Sequence, residues 1–508
     1  MTDRETMLER LRSANPLPDT DRVDAEELGL FVSYFEERKA DMQTEKRPAP
    51  QAPLRRRRNG WLVTAGAAIA VFVLIGGSLW FVSGTGTDVV EEPMVTTTSA
   101  VPTTVAPVPV LPAPSMVDGW QRVGGAVMEP AVGMFDVTVV GSRLFVVGFD
   151  WGRWDRENGV IFASDDGVSW VRLAEDDPAL TLGAVLMLAV TEGGPGLAAV
   201  GAGCENETGE CAVHPTAWTS VDGTSWTRTP EDPTVFGDGT TQRGAMYGVA
   251  DTSHGLVAVG SMRFWTVDDE GIEVPVSFHP AVWISDDGIT WERAWEGTGS
   301  VVDSDDVFYD DISMGSVVEG PGGLLVAVGA TLDENGQDIA TVWTSVDGRQ
   351  WERIEPDNTT FAPGTVMVDV AVGEHGYVAV GTEDGTDAAI WQSPDGVTWA
   401  RIDTAAQSFD GIGSLDSVAA LDAGYVTVGS RAWINGNSGV VTVWTSPDGV
   451  TWDRIHSITG GYASGVVVGD GGIAISGGTR DGRSVAAVWV GPRIDPEAPP
   501  PEPPMPEN

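Results

Sequence analysis

The chain has 508 residues, too many for one ordinary domain of about 100–200 residues, and a formal net charge of −45. The imbalance is local: residues 1–60 hold 12 acidic and 12 basic side chains, so the whole excess of acid follows residue 60, and no lysine follows Lys46. A surface of that sign repels nucleic acid and anionic lipid, which excludes nucleic-acid binding; it suits solubility, high salt or divalent cations.

Within residues 1–60, Asp24–Met42 places Leu28, Phe31, Val32 and Phe35 at helical spacing. One amphipathic helix cannot bury that stripe alone, so residues 24–42 either dock on a cytoplasmic protein partner or form a transient helix in a partly disordered tail. Upstream, Leu11–Pro18 reads as a helix end broken by Pro16. Arg55–Arg58 then precede 61–82, which is 22 residues without a charge. At about 1.5 Å per residue that run crosses a hydrocarbon core of about 30 Å. Trp61 and Trp80 stand near its ends, where aromatic rings favour the interface, and the arginines hold the N-terminal side in the cytoplasm. The polar stretch before it is too long for a cleaved signal peptide. The expectation is a signal-anchor transmembrane helix: a single-pass protein of the cell membrane, N-terminus cytoplasmic and C-terminus extracellular. Short cytoplasmic pieces of this kind resemble those of actinobacterial membrane-anchored regulators such as anti-sigma factors. That resemblance implies a transmembrane regulator with an extracytoplasmic sensor.

Residues 83–116 are rich in Pro, Thr and Val and read as an extended stalk. Residues 494–508 form a second Pro-rich tail. Between them, 117–493 carries the remaining organisation. Its only cysteines, Cys204 and Cys211, bracket CENETGEC and are spaced to close a small disulfide loop in an oxidising compartment, or else stay free. No second cysteine pair lies near in sequence, so a metal site is not expected.

The pattern S-x-D-G-x-x-W occurs six times, with its aspartates at Asp166, Asp222, Asp287, Asp347, Asp395 and Asp448. An arginine stands two residues after each final Trp, and an aromatic residue two before each Ser. Asp-Gly between alternating apolar and polar runs is a hairpin signal, because Gly takes positive φ and Asp bonds nearby amides. A second phrase precedes each hairpin and also opens a final unit: RLFVVG (143–148), GLAAVG (196–201), GLVAVG (255–260), LLVAVG (324–329), GYVAVG (376–381), GYVTVG (424–429) and GIAISG (472–477). Each unit thus reads as four short strands, and repetition at this period predicts a seven-bladed all-β propeller. The last unit lacks its fourth strand, while Asp118–Val123 supplies one at the start. An N-terminal strand is therefore expected to complete the last blade and close the ring.

The hairpin words resemble the Asp-box, or BNR, repeat of sialidases and other propellers, in a variant one residue shorter between Asp and Gly. The resemblance implies that the box is structural and lies away from any active site. The early Arg-Ile-Pro motif of sialidases is absent from the first blade, and nothing ties Tyr247 or Tyr309 to a glutamate as a nucleophile pair would require. Tyr377 and Tyr425 sit in repeat strands, and the histidines read as scattered loop residues.

Topology puts the box turns on one face and the variable loops on the other. Trp151, Trp154, Trp265, Trp295 and Trp433 fall in or beside those loops, accompanied by Arg153, Arg156, Arg263 and Arg431. Aromatic planes beside arginines are the candidate ligand-binding set for a sugar or a protein. Loop covers are the bland alternative. Asp303, Asp305 and Asp306 in an acidic loop are weak candidates for Ca²⁺, without the twelve-residue calcium-loop pattern; otherwise no cofactor is expected. The sequence favours a non-catalytic extracytoplasmic protein that binds a protein or glycan. A divergent sialidase-like glycoside hydrolase and a transmembrane regulator remain as alternatives.

Overall fold

The computed structural model describes residues 119–492, apart from 129–130, 152–156, 206–212, 268–272, 302–312, 432–438, 470–471, 481–483 and positions 334, 358, 406, 408 and 410. The apolar run 61–82 and the stripe at 24–42 lie outside those residues, and among the described ones no helix is long and apolar enough to cross a membrane.

The strands form seven antiparallel sheets. Blades 1 to 6 run in sequence order, at 131–173, 184–228, 242–301, 313–353, 365–401 and 414–459. Blade 7 takes three strands from 461–491 and its outer strand from Gln121–Val123, which pairs Arg122 with Trp489. Each innermost strand packs on the next, and the last packs on the first, so the ring closes as expected. Blade 3 differs from the four-strand unit. Its middle strands, Gly255–Val267 and Glu273–Ser285, run long, and the extra length pairs with a fifth strand, Ser300–Val301.

Seven buried apolar clusters fill the seven seams between neighbouring blades. In blades 1 to 6 the aromatic residue before the box and the Trp after it enter the same cluster, as Trp391 and Trp399 do. Burying rings of that size is the main apolar contribution to each seam.

The box is not a two-residue hairpin turn. Strand pairing stops before its Ser and resumes after its Trp, as in Gln392 with Ala400. The carboxylate closes the gap. Asp395 Oδ1 accepts the amides of Val397 and Thr398 at 2.9 and 2.6 Å, and Ser393 Oγ accepts the Gly396 amide at 2.9 Å. The Trp indole then folds back and donates to the Gly carbonyl in all six copies, at 3.0–3.2 Å. The six glycines have φ from +70° to +79°, which favours Gly. Amides of Thr398 and Val397 hold the Asp395 carboxyl below the usual carboxylate range.

A feature not predicted recurs on every innermost strand. Each carries a bulge at one equivalent place, where the pairing register skips Phe135, Leu188, Tyr247, Gly315, Val368, Asp416 and Ser464. Opposite each bulge stands the last Gly of the repeated phrase: Gly148, Gly201, Gly260, Gly329, Gly381, Gly429 or Gly477. At all seven an added Cβ would strike the carbonyl oxygen of the inner strand. Among the described residues three short helical turns also went unpredicted; two start from Asp-Pro, where Asp177 and Asp232 cap Pro178–Thr181 and Pro233–Phe236.

The seam between blades 7 and 1 departs from the others. Where six blades place a buried valine before that glycine (Val147, Val200, Val259, Val328, Val380, Val428), blade 7 places Ser476, fully buried and without a hydrogen-bond partner for Oγ. An unsatisfied buried hydroxyl is unfavourable. Ser476→Ala is therefore expected to stabilise the chain by about 1 kcal/mol, read as a higher denaturant midpoint. A lower midpoint would show that Oγ has a partner in solution.

Candidate functional site

The seven bulge residues ring the axis, near the end where each innermost strand enters from the variable-loop face. Their chemistry is uneven around the ring. Blades 1 to 3 contribute Phe135, Leu188 and Tyr247, which join a cluster with Phe149, Leu186 and Ala245. Phe135 and Phe149 stack at 5.6 Å with rings 5° apart. Tyr247 Oη lies 3.3 Å from Ser261 Oγ and accepts from Arg263 Nη2 at 3.2 Å. Gly315 and Val368 follow, and then the polar arc of Asp416 and Ser464. Ser414 and Ser430 donate to the two oxygens of Asp416, each at 2.6 Å.

Just inside the mouth, two further carboxylates tie blades together. Asp136 accepts the amides of Val137 and, across the seam, Val190, at 2.7 and 2.8 Å. Asp369 accepts the amides of Val370 and Val418 and the Ser417 hydroxyl, at 2.8–2.9 Å. Burial raises Asp136 to about 7 against the pull of its amides, and it also raises Asp369. The seven innermost strands carry one basic residue, Arg243. It is buried, its guanidinium lies over the Trp265 ring at 4.9 Å, and its Nε donates to the Gly239 carbonyl. The axis is thus acidic, with an aromatic wall on one side of its mouth.

Of the candidate ligand residues read from sequence, four have described side chains: Trp265, Arg263, Trp295 and Arg431. Trp265 lies on a long strand of blade 3, half-buried beneath Arg243. Arg263, on the same strand, is buried with its guanidinium over Phe278 at 5.7 Å. Trp295 lies on the strand Glu292–Glu296, half-buried against the seam of blades 3 and 4. Arg431 is exposed, and its Nε donates to the Gly411 carbonyl at 2.8 Å. Trp151 ends a strand of blade 1, with its side chain outside the described residues. Arg153, Trp154, Arg156, Trp433, Tyr309 and the calcium candidates Asp303, Asp305 and Asp306 also lie outside them. Three of the five histidines are not in loops: His214, His279 and His456 sit on strands.

On blade 2, Cys204 is disulfide-bonded, while its expected partner Cys211 lies outside the described residues. The base of that loop is fixed. Glu231 Oε1 accepts the Glu205 amide at 2.7 Å and meets His214 Nε2 at 3.0 Å, and Arg228 Nη1 donates to the Cys204 carbonyl.

The residues at the axial mouth were not singled out in sequence, apart from Tyr247. A signal was present. Met and Val stand three apart in five inner strands, from Met134 and Val137 to Met367 and Val370, with Leu and Val or Ala and Val in the other two. Strict alternation would turn such a pair to opposite faces, so burying both requires one extra residue.

No family model and no curated protein matches the sequence. Similar solved structures include a Trypanosoma rangeli sialidase in complex with sialic acid, at 12% identity over 75% of this chain and 60% of that one, with TM-score 0.37. Others are the Hadza microbial sialidase Hz136 (14%, 70% and 74%, TM-score 0.40) and a Penicillium chrysogenum alpha-L-arabinanase complexed with arabinobiose (10%, 74% and 99%, TM-score 0.36). The chain spans about 60% of the length of the trypanosomal sialidases. Strand pairing and closure of the ring define the seven-bladed propeller.

Proposed function

We propose that the chain is a non-catalytic, membrane-anchored extracytoplasmic propeller that binds a glycan or protein on its variable-loop face, at the axial mouth. One observation supports this most: the ring of inner-strand bulges carries an aromatic and aliphatic arc on blades 1 to 3 (Phe135, Leu188, Tyr247) and, on blade 6, the Asp416 carboxylate held by Ser414 and Ser430. Apolar planes together with hydrogen-bonding groups fit a sugar ring or an amphipathic side chain. In this reading residues 61–82 anchor the chain, and 24–42 meet a cytoplasmic partner.

The test is a glycan array and a cell-surface protein pull-down with wild type, Tyr247→Ala, and a Trp151/Trp154/Trp265/Trp433 alanine variant. Binding at the mouth is expected to weaken about tenfold or more in Tyr247→Ala and little in the loop variant. Binding that only the loop variant weakens would move the site to the loops, and no binding at all would sink the proposal. The hydrolase alternative rests on Tyr247 with its Arg263 partner. Robust turnover of a sialic-acid or aryl glycoside, abolished by Tyr247→Phe, would favour it over a binding role.

A further inference from the structure

We propose that the last part of the proline-rich stalk, residues 110–117, docks on the outer side of the seam between blades 6 and 7, as the wedge that this seam otherwise lacks. Among the described residues, five seams receive one large apolar side chain from the connection that leads into the following blade. These are Met128, Leu180, Phe236, Phe361 and Phe409, each 5% exposed or less. The tryptophan of the third strand marks the place. Trp218, Trp283 and Trp391 donate to the carbonyls of Ala179, Val235 and Thr360, in each case the residue just before the wedge. The connection into blade 4 falls partly outside the described residues.

Blade 7 is served differently. The outer strand of blade 6, Asp453–Thr459, is followed by Gly460 alone before the inner strand Gly461–Gly469 begins, so no connecting side chain enters this seam. That outer strand has 7 residues, against 2 to 5 in the other blades. Trp120 stands where the other blades carry the Trp of the box. It is half-buried, whereas those six are 2–8% exposed. Ile455 and Ile458 are half-buried with it against the seam cluster, and the His456 ring is stacked on Trp120. An apolar groove with an aromatic wall is left along the outer strand of blade 6.

The stalk is the occupant that fits. It runs directly into Trp120, so its last residues reach the groove with little loop-closure cost, and Gly119, at φ +92°, supplies a point where the chain can reverse. No charge stands between Glu92 and Asp118, and 110–117 reads VLPAPSMV. Proline-rich segments dock on aromatic-lined grooves because their extended form is set beforehand and little entropy is lost. Eight residues at about 3.1 Å each cover about 25 Å, close to the length of a seven-residue strand at about 3.3 Å per residue. The tail 494–508 leaves the same blade, but Asp495, Glu497, Glu502 and Glu507 suit an apolar groove poorly.

Two measurements on the full-length chain test this. With Met116 replaced by the photo-reactive benzoylphenylalanine, irradiation is expected to cross-link the stalk to 453–459, located by peptide mass spectrometry. Separately, diethyl pyrocarbonate should modify His456 about fivefold or more faster in a Leu111→Asp/Met116→Asp/Val117→Asp chain than in wild type, with His254 unchanged as the reference. No propeller residue is altered in either chain, so a folding defect does not obscure the reading. Cross-links confined to other blades, no cross-link, or equal His456 reactivity in the two chains overturns the proposal. A rise in His456 reactivity that appears only on removal of 494–508 gives the groove to the tail and overturns it as well.

Discussion

Gly329→Ala is expected to destabilise the propeller by about 3 kcal/mol or more. Gly329 ends the LLVAVG phrase of blade 4 and faces the bulge at Gly315. There the inner strand bends toward it, and an added Cβ would meet the Ser313 carbonyl oxygen, with the Met314 Cα at 3.0 Å. Both are backbone atoms, so no rotamer change relieves the overlap, and the bulge itself would have to move. Moving it disturbs Met314, which is fully buried in the seam of blades 3 and 4. The check is a denaturant titration beside Gly336→Ala, where the new Cβ meets nothing. Gly336 has φ +72°, so its replacement costs about 1 kcal/mol for the left-handed backbone alone. Were Gly329→Ala no worse than Gly336→Ala, the close approach at the bulge would not be what that glycine serves.

That glycine shows where sequence reading succeeded and where it stopped. The number of blades, the four-strand unit and the ring closure were legible because they depend on local words. Asp-Gly marks a turn, a valine-rich run marks a strand, and an orphan strand at one end matches a gap at the other. The bulges were not legible in the same way, since a bulge is a relation of register between two strands. Its traces, the fixed glycine and the odd spacing of Met134 and Val137, make sense only once the strands are paired. For the site, the reading favoured Trp and Arg in long connections. In blade 3 those residues proved to be on strands that extend past the repeat length, so Trp265 and Arg263 serve packing there. The axial ring is built from one residue per blade, and no motif spans residues so far apart in the chain.

The second large effect concerns closure: Val123→Asp is expected to cost about 4 kcal/mol and to free the outer edge of blade 7. Val123 is 5% exposed and sits in the cluster that joins blades 7 and 1, with Val488 and Met134. An aspartate there would be a buried charge with an apolar surround. Only three residue pairs attach this strand, Gln121 to Val490, Arg122 to Trp489 and Val123 to Val488, so side-chain burial must hold it. Trp120 adds to that hold, stacked on His456 of blade 6 at 5.3 Å with rings 9° apart. Arg122→Asp supplies the control, because Arg122 is exposed in the same strand and its replacement should change stability by about 0.5 kcal/mol or less. Two readings on the full-length chain decide it: the thermal midpoint, and the rate at which protease cuts near residue 120. Val123→Asp should lower the first and raise the second, and Arg122→Asp should do neither. If both variants unfold at the wild-type midpoint, the shared blade contributes topology without stability.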